Sequence, residues 1–400
     1  ERSDKLYARA RWGDLALAAV LSDRRKDDPT GGFGVLFNTA SSSIDRFASA
    51  DLSYGSRLDT GHELHARLGA TGYTYVGRGI YGTAQQPVPA LTRTHAQWLS
   101  GELRYVWSGW QGHRVLLGAE FQDNWRQHLY SADLEPAPQV YTDSRFNTSR
   151  ASLFANDEWE LHRTLRLNLG VRADRQLDGR TATSPRLAAL WSPHAQWTFK
   201  LQGGRAFREP NASETDYRDA AQAAGGPLLA ESLRSLELAA LWRPKPGLDA
   251  SVSAYRFELR DIIDFVDLPD GQQTYANAGH ARSEGLETEL TWQASDRVRL
   301  RGSWARQRTE DRVSGAPLSD APRSVAKLML TATGPWPGAT LGLNLVRLGE
   351  RRSIAGQRLS PYVRVNAQLG YASADDRWSV SAAIYNLGGT RYDDPAGPEH

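Results

Sequence analysis

The sequence contains no cysteine, and only one of its 400 residues is methionine. Without cysteine the chain can form neither disulfide bonds nor thiolate metal sites, although this absence fits many cellular compartments. There is also no run of about 18 apolar residues, which excludes a transmembrane helix. The opening residues Glu1–Asp4 do not have the pattern of a signal peptide, so we expect either a processed chain or an internal segment.

The charge balance and the short motifs exclude several classes of protein. The chain carries 48 Lys and Arg against 46 Asp and Glu, a net charge of +2 that does not indicate a nucleic-acid-binding protein. Gly77–Gly82 matches the G-x-G-x-x-G string, but Pro87 and Pro89 follow it without a helical period, which favours a loop. No nucleophile elbow and no convincing metal-ligand pattern is present. We therefore expect no enzyme, no resident cofactor and no metal ligands.

Glycine, tryptophan and tyrosine are abundant, with 36, 13 and 15 residues respectively. Glycine is typical of chains with many turns, and Trp and Tyr are enriched at membrane interfaces. The mean hydropathy of -0.54 resembles that of a soluble chain, yet a transmembrane β-barrel has a similar average because only half of each strand faces lipid. Tryptophans lie next to predicted short turns, where an interfacial girdle would place them: Trp12, Trp110, Trp159, Trp197, Trp336 and Trp378.

Apolar and polar residues alternate along the predicted strands. In Leu165–Asp174 every second residue is apolar, whereas the positions between them include Arg172 and Asp174. The segments Val298–Arg306 and Val363–Tyr371 repeat this pattern. Because successive side chains point to opposite faces of a strand, each segment predicts one apolar face and one polar face.

Short and long connections between the strands alternate along the whole chain. The short ones are rich in residues that set turn dihedrals, at 12–14, 59–61, 108–112, 162–164, 192–194, 244–247, 295–296, 335–338 and 374–376. The long ones are 23–43, 77–91, 128–148, 176–183, 207–230, 261–281, 309–321 and 351–360. Short periplasmic turns and long external loops are typical of outer-membrane barrels, so we predict an all-β, antiparallel transmembrane β-barrel with about eighteen strands in this chain. Any single strand of a soluble sheet can show the same alternation of apolar and polar residues. A soluble sheet would, however, need a second dry core to bury the apolar faces of so many strands.

Five short motifs occur in a fixed order along the chain. They are Ser184 with Pro185 and Arg186; the run Gly204–Pro210 followed by Glu214; a segment with Glu231 and Glu237; a segment with Asn277, Gly285 and Glu287; and Asn386 with its neighbours. In order and spacing these motifs resemble the barrel of the TonB-dependent outer-membrane receptors. The resemblance extends from about Lys5 to Asp394.

The resemblance implies a receptor in the bacterial cell outer membrane that takes up a scarce nutrient complex with energy supplied through TonB. Its partners would be outer-membrane lipid, the TonB complex through an N-terminal part, and a small-molecule metal chelate such as a ferric siderophore or a cobalamin-like ligand. Because the family also has a plug domain and about twenty-two strands, we expect residues 1–400 to be a barrel truncated at both ends and without the plug. A passive porin-type barrel and a soluble all-β glycan-binding protein are the alternatives.

Candidate ligand contacts lie in the predicted long loops. Arg205 and Arg208 flank the start of loop 207–230, where their guanidinium groups could grip carboxylates or phosphates of a ligand or, as we favour, of neighbouring loops. Gly285 near a strand start predicts a bulge or a close backbone approach, and Glu287 an inward-facing partner for arginines. Because external loops carry specificity, aromatic residues within them are also predicted to contact the ligand: Phe207, Tyr217, Tyr130 and Tyr141.

Overall fold

The computed structural model describes residues 1–394 apart from 29, 60, 177, 178, 335 and 376. Its strands are β1 (Arg2–Trp12), β2 (Leu15–Asp27), β3 (Ser42–Asp59), β4 (His62–Gly82), β5 (Pro87–Trp107), β6 (His113–Asp133), β7 (Gln139–His162), β8 (Leu165–Gln176), β9 (Thr181–His194), β10 (Trp197–Arg208), β11 (Glu231–Lys245), β12 (Leu248–Asp267), β13 (Gln273–Ser295), β14 (Val298–Asp311), β15 (Ser324–Thr333), β16 (Ala339–Leu348), β17 (Arg351–Arg352), β18 (Arg358–Leu359), β19 (Tyr362–Ala372) and β20 (Ser379–Ile384). Two short helices accompany them, a 3-10 turn at Gly32–Gly34 and α1 at Ala212–Thr215. Within the described ranges no helix is both long and apolar enough to cross a membrane.

One antiparallel sheet contains 18 of these strands. Each strand pairs with the next along the chain from β1 to β16, and the order then continues through β19 to β20. The predicted number of about eighteen strands is confirmed. β17 and β18 pair with each other in the connection between β16 and β19. Among the described residues β1 pairs with β2 alone and β20 with β19 alone.

The short connections occur where the sequence predicts them, and they all lie at one end of the sheet because alternate connections of such a meander share an end. One is displaced: β9 continues to His194, so the turn falls at Ala195 and Gln196 instead of 192–194. The predicted turn residues Thr60, Pro335 and Asp376 lie outside the described residues.

Several of the predicted long loops are wrong in extent. Loop 77–91 is reduced to residues 83–86, since Gly77–Gly82 belongs to β4 and is not a loop. Likewise the loop predicted at 261–281 is reduced to 268–272. The strands project beyond the apolar band, where both faces are wet, so the backbone ladder continues after the alternation of side chains has ended.

The two faces of the sheet differ as the alternation predicts. Leu236, Leu238 and Leu369 face outward with 56%, 55% and 62% of their surface exposed. Only five hydrophobic residues are buried in the described part of the chain: Val106, Leu129, Ala132, Leu228 and Ile263. The apolar side chains of successive strands therefore do not meet in a dry centre, which contradicts the soluble alternative.

The sheet curves around its polar face. Residues 209–230, which connect β10 to β11 and are called the strap below, hydrogen-bond through Arg218 to Thr142 of β7 and through Ala221 to Gln273 of β13. In a flat sheet these two strands, six places apart, would be separated by about 29 Å at ~4.8 Å per strand. Residues 218 to 221 can span at most about 11 Å. The sheet must therefore be strongly curved, as in a barrel.

Tryptophans line the edge of the apolar face beside the short turns. Trp12, Trp110 and Trp336 are 63%, 61% and 71% exposed, and the rings of Trp197 and Trp242 stack with centroids 5.8 Å apart. Indoles at one edge of an apolar band are typical of the interfacial girdle of a membrane barrel.

Replacing Leu238 by arginine should lower the free energy of unfolding by about 2–4 kcal/mol, because the guanidinium would face hydrocarbon near the middle of the apolar band. Gln202 on the neighbouring strand faces the opposite way. Gln202→Arg is therefore the matched control and should cost less than about 0.5 kcal/mol. Denaturant unfolding of the intact protein in lipid vesicles measures both changes, and equal costs would contradict the assignment of the outward face to lipid.

Candidate functional site

The strap is held at its root by an arginine between two glutamates. Arg208, the last residue of β10, donates from Nε to Glu231 Oε2 at 2.6 Å and from Nη1 to Glu214 Oε2 at 3.0 Å. Glu214 also accepts from the backbone N of Asn211 at 2.8 Å, and the Asn211 side chain accepts from the backbone N of Glu214 at 3.1 Å, a capping box that begins α1. Glu231 Oε1 accepts from the backbone N of Ile263 at 2.9 Å. The root thus ties β10, α1, β11 and β12 together.

These contacts set the charge state of the root. The hydrogen bond from Arg208 lowers the pKa of Glu231, and the hydrogen bonds to Glu231 and Glu214 raise the pKa of Arg208. Because each partner favours the charged form of the other, the ion pair persists throughout the neutral range.

Acidification should loosen the strap. The pKa of Glu231 is lower in the docked strap than the ordinary value of 4.5, so docking is favoured above that value and is weakened as the pH falls below it. Amide hydrogen exchange of residues 209–230, corrected for intrinsic rates, should therefore accelerate on going from neutral pH to about pH 4. Glu231→Gln should remove this dependence, whereas Glu310→Gln, which removes an ion pair near the end of β14, should leave it intact. A pH response that survives in Glu231→Gln would assign it to another group.

The middle of the strap crosses the polar face to reach β5, β6 and β7. Thr142 Oγ1 donates to the Arg218 carbonyl at 2.9 Å and accepts from the Arg218 N–H at 2.7 Å, while Ser131 Oγ donates to the same carbonyl. Tyr217 Oη lies 3.3 Å from Thr92 Oγ1, and burial raises the pKa of Tyr217 to about 12. Ser131 and Thr142 are each only 2% exposed, so water does not compete for these hydrogen bonds at the crossing point.

The far end of the strap is bound to β13. The backbone of Gln273 donates to the Ala221 carbonyl at 2.9 Å and accepts from the Ala223 N–H at 2.8 Å. Asn277 Oδ1 accepts from the Leu229 N–H at 2.7 Å, and its Nδ2 donates to the Leu229 carbonyl at 3.0 Å. The side-chain amide of Asn277 thus satisfies both polar groups of one strap residue, so the strap is anchored at three places and does not hang free.

A cavity of about 930 Å³ opens on the polar face between the strap and strands β6 and β7. In its lining, Asn124 Nδ2 and Gln127 Nε2 both donate to Thr148 Oγ1, at 2.8 and 2.7 Å. The sequence analysis missed these residues. The structure has a register shift between Asn124 and Gln127, so the two-residue period on which the sequence analysis relied does not continue through this segment. A concave, polar space beside an anchored strap is a candidate surface for a hydrophilic ligand.

The two arginines predicted to act together lie on opposite faces of β10. Arg205 and Phe207 share the outward face with Leu201, whereas Arg208 faces inward and holds the strap root. Tyr217 also lies inside, in the strap. The structure therefore brings Arg208 and Tyr217 to the candidate site and places Arg205 and Phe207 on the outer surface.

The other predicted aromatic contacts lie on strands and not in loops. Tyr130, on β6, faces away from its neighbour Ser131, and its ring centroid lies 5.9 Å from the Arg93 guanidinium carbon. Tyr141, on β7, donates from Oη to Asp133 Oδ2 at 2.6 Å, which raises the pKa of Tyr141 to about 12. Both remain predictions as ligand contacts.

Two motif glutamates face inward, and for one of them, Glu287, the sequence predicts arginine partners. Glu237 lies across the register from Gln202, and Glu287 faces the same side of β13 as Gly285. Neither forms an ion pair with an arginine within the described residues. Gly285 has a close neighbour, since a Cβ there would lie 2.7 Å from the hydroxyl oxygen of Tyr255. At this position the ring takes the space that a side chain would need, and the strand register continues without a bulge.

The remaining motif residues lie at turns or against the backbone of a neighbouring strand. Asn386 adopts a left-handed φ of 53°, and its Oδ1 accepts from the Thr390 N–H at 3.0 Å. Pro185 and Arg186 lie against Gly204 of β10, where an added Cβ would meet the Pro185 carbonyl at 3.0 Å. Pro210 is the second residue of the strap. Asn386 and the prolines direct the backbone, whereas the Arg186 side chain is exposed and forms no ion pair within the described residues.

Charged side chains on the polar face of β6, β7 and β8 are paired with one another. Arg172 donates from Nη1 to Glu120 Oε2 at 2.8 Å and from Nε to Asp174 Oδ2 at 3.0 Å. Ser152 Oγ donates to Asp174 Oδ1 at 2.6 Å, and the Asp174 side chain is only 4% exposed. The interior around Asp174 is thus hydrophilic, and the charges of this cluster compensate one another.

A curved antiparallel sheet with an exposed apolar outer face, a polar interior and an anchored strap over that interior defines a β-barrel of the outer-membrane type. The sequence model described as "TonB dependent receptor-like, beta-barrel" matches residues 2–387. The chain therefore belongs to this family, and its membership places it in the bacterial outer membrane.

Known proteins and solved structures agree with this assignment. The "Iron-regulated outer membrane virulence protein" of Vibrio cholerae is 26% identical over 305 residues, which cover 65% of this chain and 45% of that protein. The ferric yersiniabactin uptake receptor FyuA of Yersinia pestis superimposes with a TM-score of 0.71 at 17% identity, covering 96% of this chain and 65% of the other. The copper transporter OprC gives 0.76 at 16% identity, covering 98% and 66%. The chain thus spans less than two thirds of the length of these relatives.

Proposed function

We propose that the protein to which this barrel belongs binds a metal chelate at the cell surface and imports it with energy supplied through TonB. The observation that carries the proposal is the strap, which is bound at its root, crossing and far end over a polar interior. A loop fixed across the interior by buried hydrogen bonds narrows the passage and gives a polar ligand a surface to bind. The relatives support a metal chelate as ligand, because one is a ferric yersiniabactin uptake receptor and another a copper transporter.

Iron is the favoured cargo, since the Vibrio cholerae relative is an iron-regulated outer-membrane protein. Donors and acceptors such as Asn124, Gln127 and Thr148 can bind the polar periphery of a chelate without competing for the metal. The chemistry proposed is binding and gated passage, with no bond made or broken. The partners of the intact receptor are then outer-membrane lipid, the TonB complex and a small-molecule metal chelate.

Uptake measurements test this function directly. Cells that lack their other iron receptors and express the intact protein should accumulate labelled ferric chelates from a panel of catecholate, hydroxamate and citrate complexes, with copper complexes included. We expect saturable uptake of at least one of them, and its loss when TonB is removed while binding to the cell surface persists. Uptake that rises linearly with concentration and is indifferent to TonB would indicate a passive porin-type barrel instead.

A further inference from the structure

A row of arginines lies on the outward face, at the edge of the apolar band nearest the strap. Arg205 of β10, Arg234 of β11, Arg256 of β12 and Arg306 of β14 form this arginine row, and all are exposed. Within the part of the chain that the structure describes, none of their side chains forms an ion pair or a hydrogen bond. Unpaired guanidinium groups clustered on one surface indicate an anionic partner.

On strands β12, β13 and β14 the charges that lie farther from the apolar band are neutralised within the protein. On the same outward face, arginines are paired with glutamates at 2.9, 2.5 and 2.9 Å: Arg260 with Glu258, Arg282 with Glu284, and Arg308 with Glu310. The carboxylates nearest to the row are thus already engaged. On strands β10 to β14, the positive charge that remains uncompensated on this face is therefore confined to the boundary with the apolar surface.

Two members of the row face each other directly. Arg205 is the register partner of Arg234 in the β10–β11 pair, and like charges directly opposite each other destabilise a sheet. A phosphate bridging the two would turn this repulsion into attraction, because the guanidinium fork binds two phosphate oxygens at once. The pair is therefore better suited to a bound anion than to bare solvent.

The position of the row specifies what kind of anion can reach it. Arg256 is the register partner of Leu236 and Arg306 that of Leu286, and these leucines are 56% and 39% exposed. A ligand that binds the arginine row must therefore carry a phosphate group next to a hydrocarbon chain. At the other edge of the band, outward positions of β10, β11 and β13 are aromatic: Trp197, Trp242 and Trp292. We propose that the arginine row binds the phosphate groups of a phosphorylated glycolipid in the outer leaflet of the membrane.

Retention of lipopolysaccharide by the purified intact protein tests the proposal. Native mass spectrometry of the protein extracted in mild detergent and incubated with lipopolysaccharide should show bound lipid on the wild type. Changing all four arginines of the row to glutamine should reduce the bound fraction about tenfold or more, since each arginine near an anionic surface contributes roughly 1 kcal/mol. Arg260→Gln with Arg308→Gln, which removes two paired arginines from the same face, is the matched control and should retain the lipid.

Two further measurements separate lipid from free phosphate and folding from binding. Inorganic phosphate at millimolar concentration should not displace the lipid, and dephosphorylated lipopolysaccharide should bind as weakly to the wild type as the intact lipid binds to the fourfold variant. The fourfold variant should keep the heat-dependent gel mobility of a folded barrel. Equal retention by the wild type and the fourfold variant, or complete displacement by inorganic phosphate, would overturn the proposal.

Discussion

A receptor whose strap is replaced by a short linker should bind its chelate at least about 100-fold more weakly, a loss of roughly 2.7 kcal/mol, while its barrel still folds. Residues 209–230 can be removed without disturbing the ladder, because Arg208 and Glu231 are register partners at the adjoining ends of β10 and β11. A linker of about four residues suffices for such a hairpin. The ligand surface would lose one wall, and the polar groups of β7 and β13 that now hold the strap would be hydrated.

The control for this prediction shortens the turn between β17 and β18, which lies at the same end of the sheet but does not cross the interior. That variant should bind the chelate as the wild type does. A milder test is Thr142→Val, which removes both hydrogen bonds to Arg218 and leaves the strap in the chain. Its affinity should lie between the wild type and the deletion. Titration of the purified intact receptor with the transported ferric chelate measures all three, and wild-type affinity in the deletion variant would exclude the strap from the binding surface.

The number of strands and the assignment of their faces could be predicted from the sequence, because each strand that crosses the apolar band carries the period of two. In β8, for example, Val171 and Ala173 face outward while Arg172 and Asp174 pair inside. Where the strands leave the band this signal ends. The sequence gives no local sign that Gly77–Gly82 continues β4, because water on both faces removes the difference between adjacent positions.

Contacts within the site were beyond prediction for a different reason. Arg218 and Thr142 are separated by 76 residues, and they meet only because the sheet curves. No local pattern in the sequence indicates this curvature. The face of Arg205, by contrast, was open to prediction: it lies three residues before Arg208 in a regular strand, and an odd separation puts two residues on opposite faces. Treating both as loop residues concealed this difference.

Removing Arg172 should lower the free energy of unfolding of the intact receptor by about 2–4 kcal/mol, because a nearly buried carboxylate would lose its main partner. Among the described residues, Asp174 would then keep Ser152 at 2.6 Å and Arg150 at 3.9 Å. The expected cost lies below the largest values for buried pairs because the Arg172 side chain is 31% exposed and water screens part of the interaction. Urea unfolding of Arg172→Leu in lipid vesicles measures the effect.

The matched control is Arg166→Leu, on the same strand and the same face, where no ion pair exists within the described residues. It should change the stability by less than about 0.5 kcal/mol. If the cost of Arg172→Leu comes from the stranded carboxylates, then adding Asp174→Asn and Glu120→Gln should recover most of it, since neutral amides tolerate the loss of a cation. A cost that persists in the triple variant would instead assign the role of Arg172 to the packing of its side chain, whose guanidinium lies 5.5 Å from the Phe154 ring centroid. In that case the charges inside the barrel would contribute hydrophilicity to the interior but little to its stability.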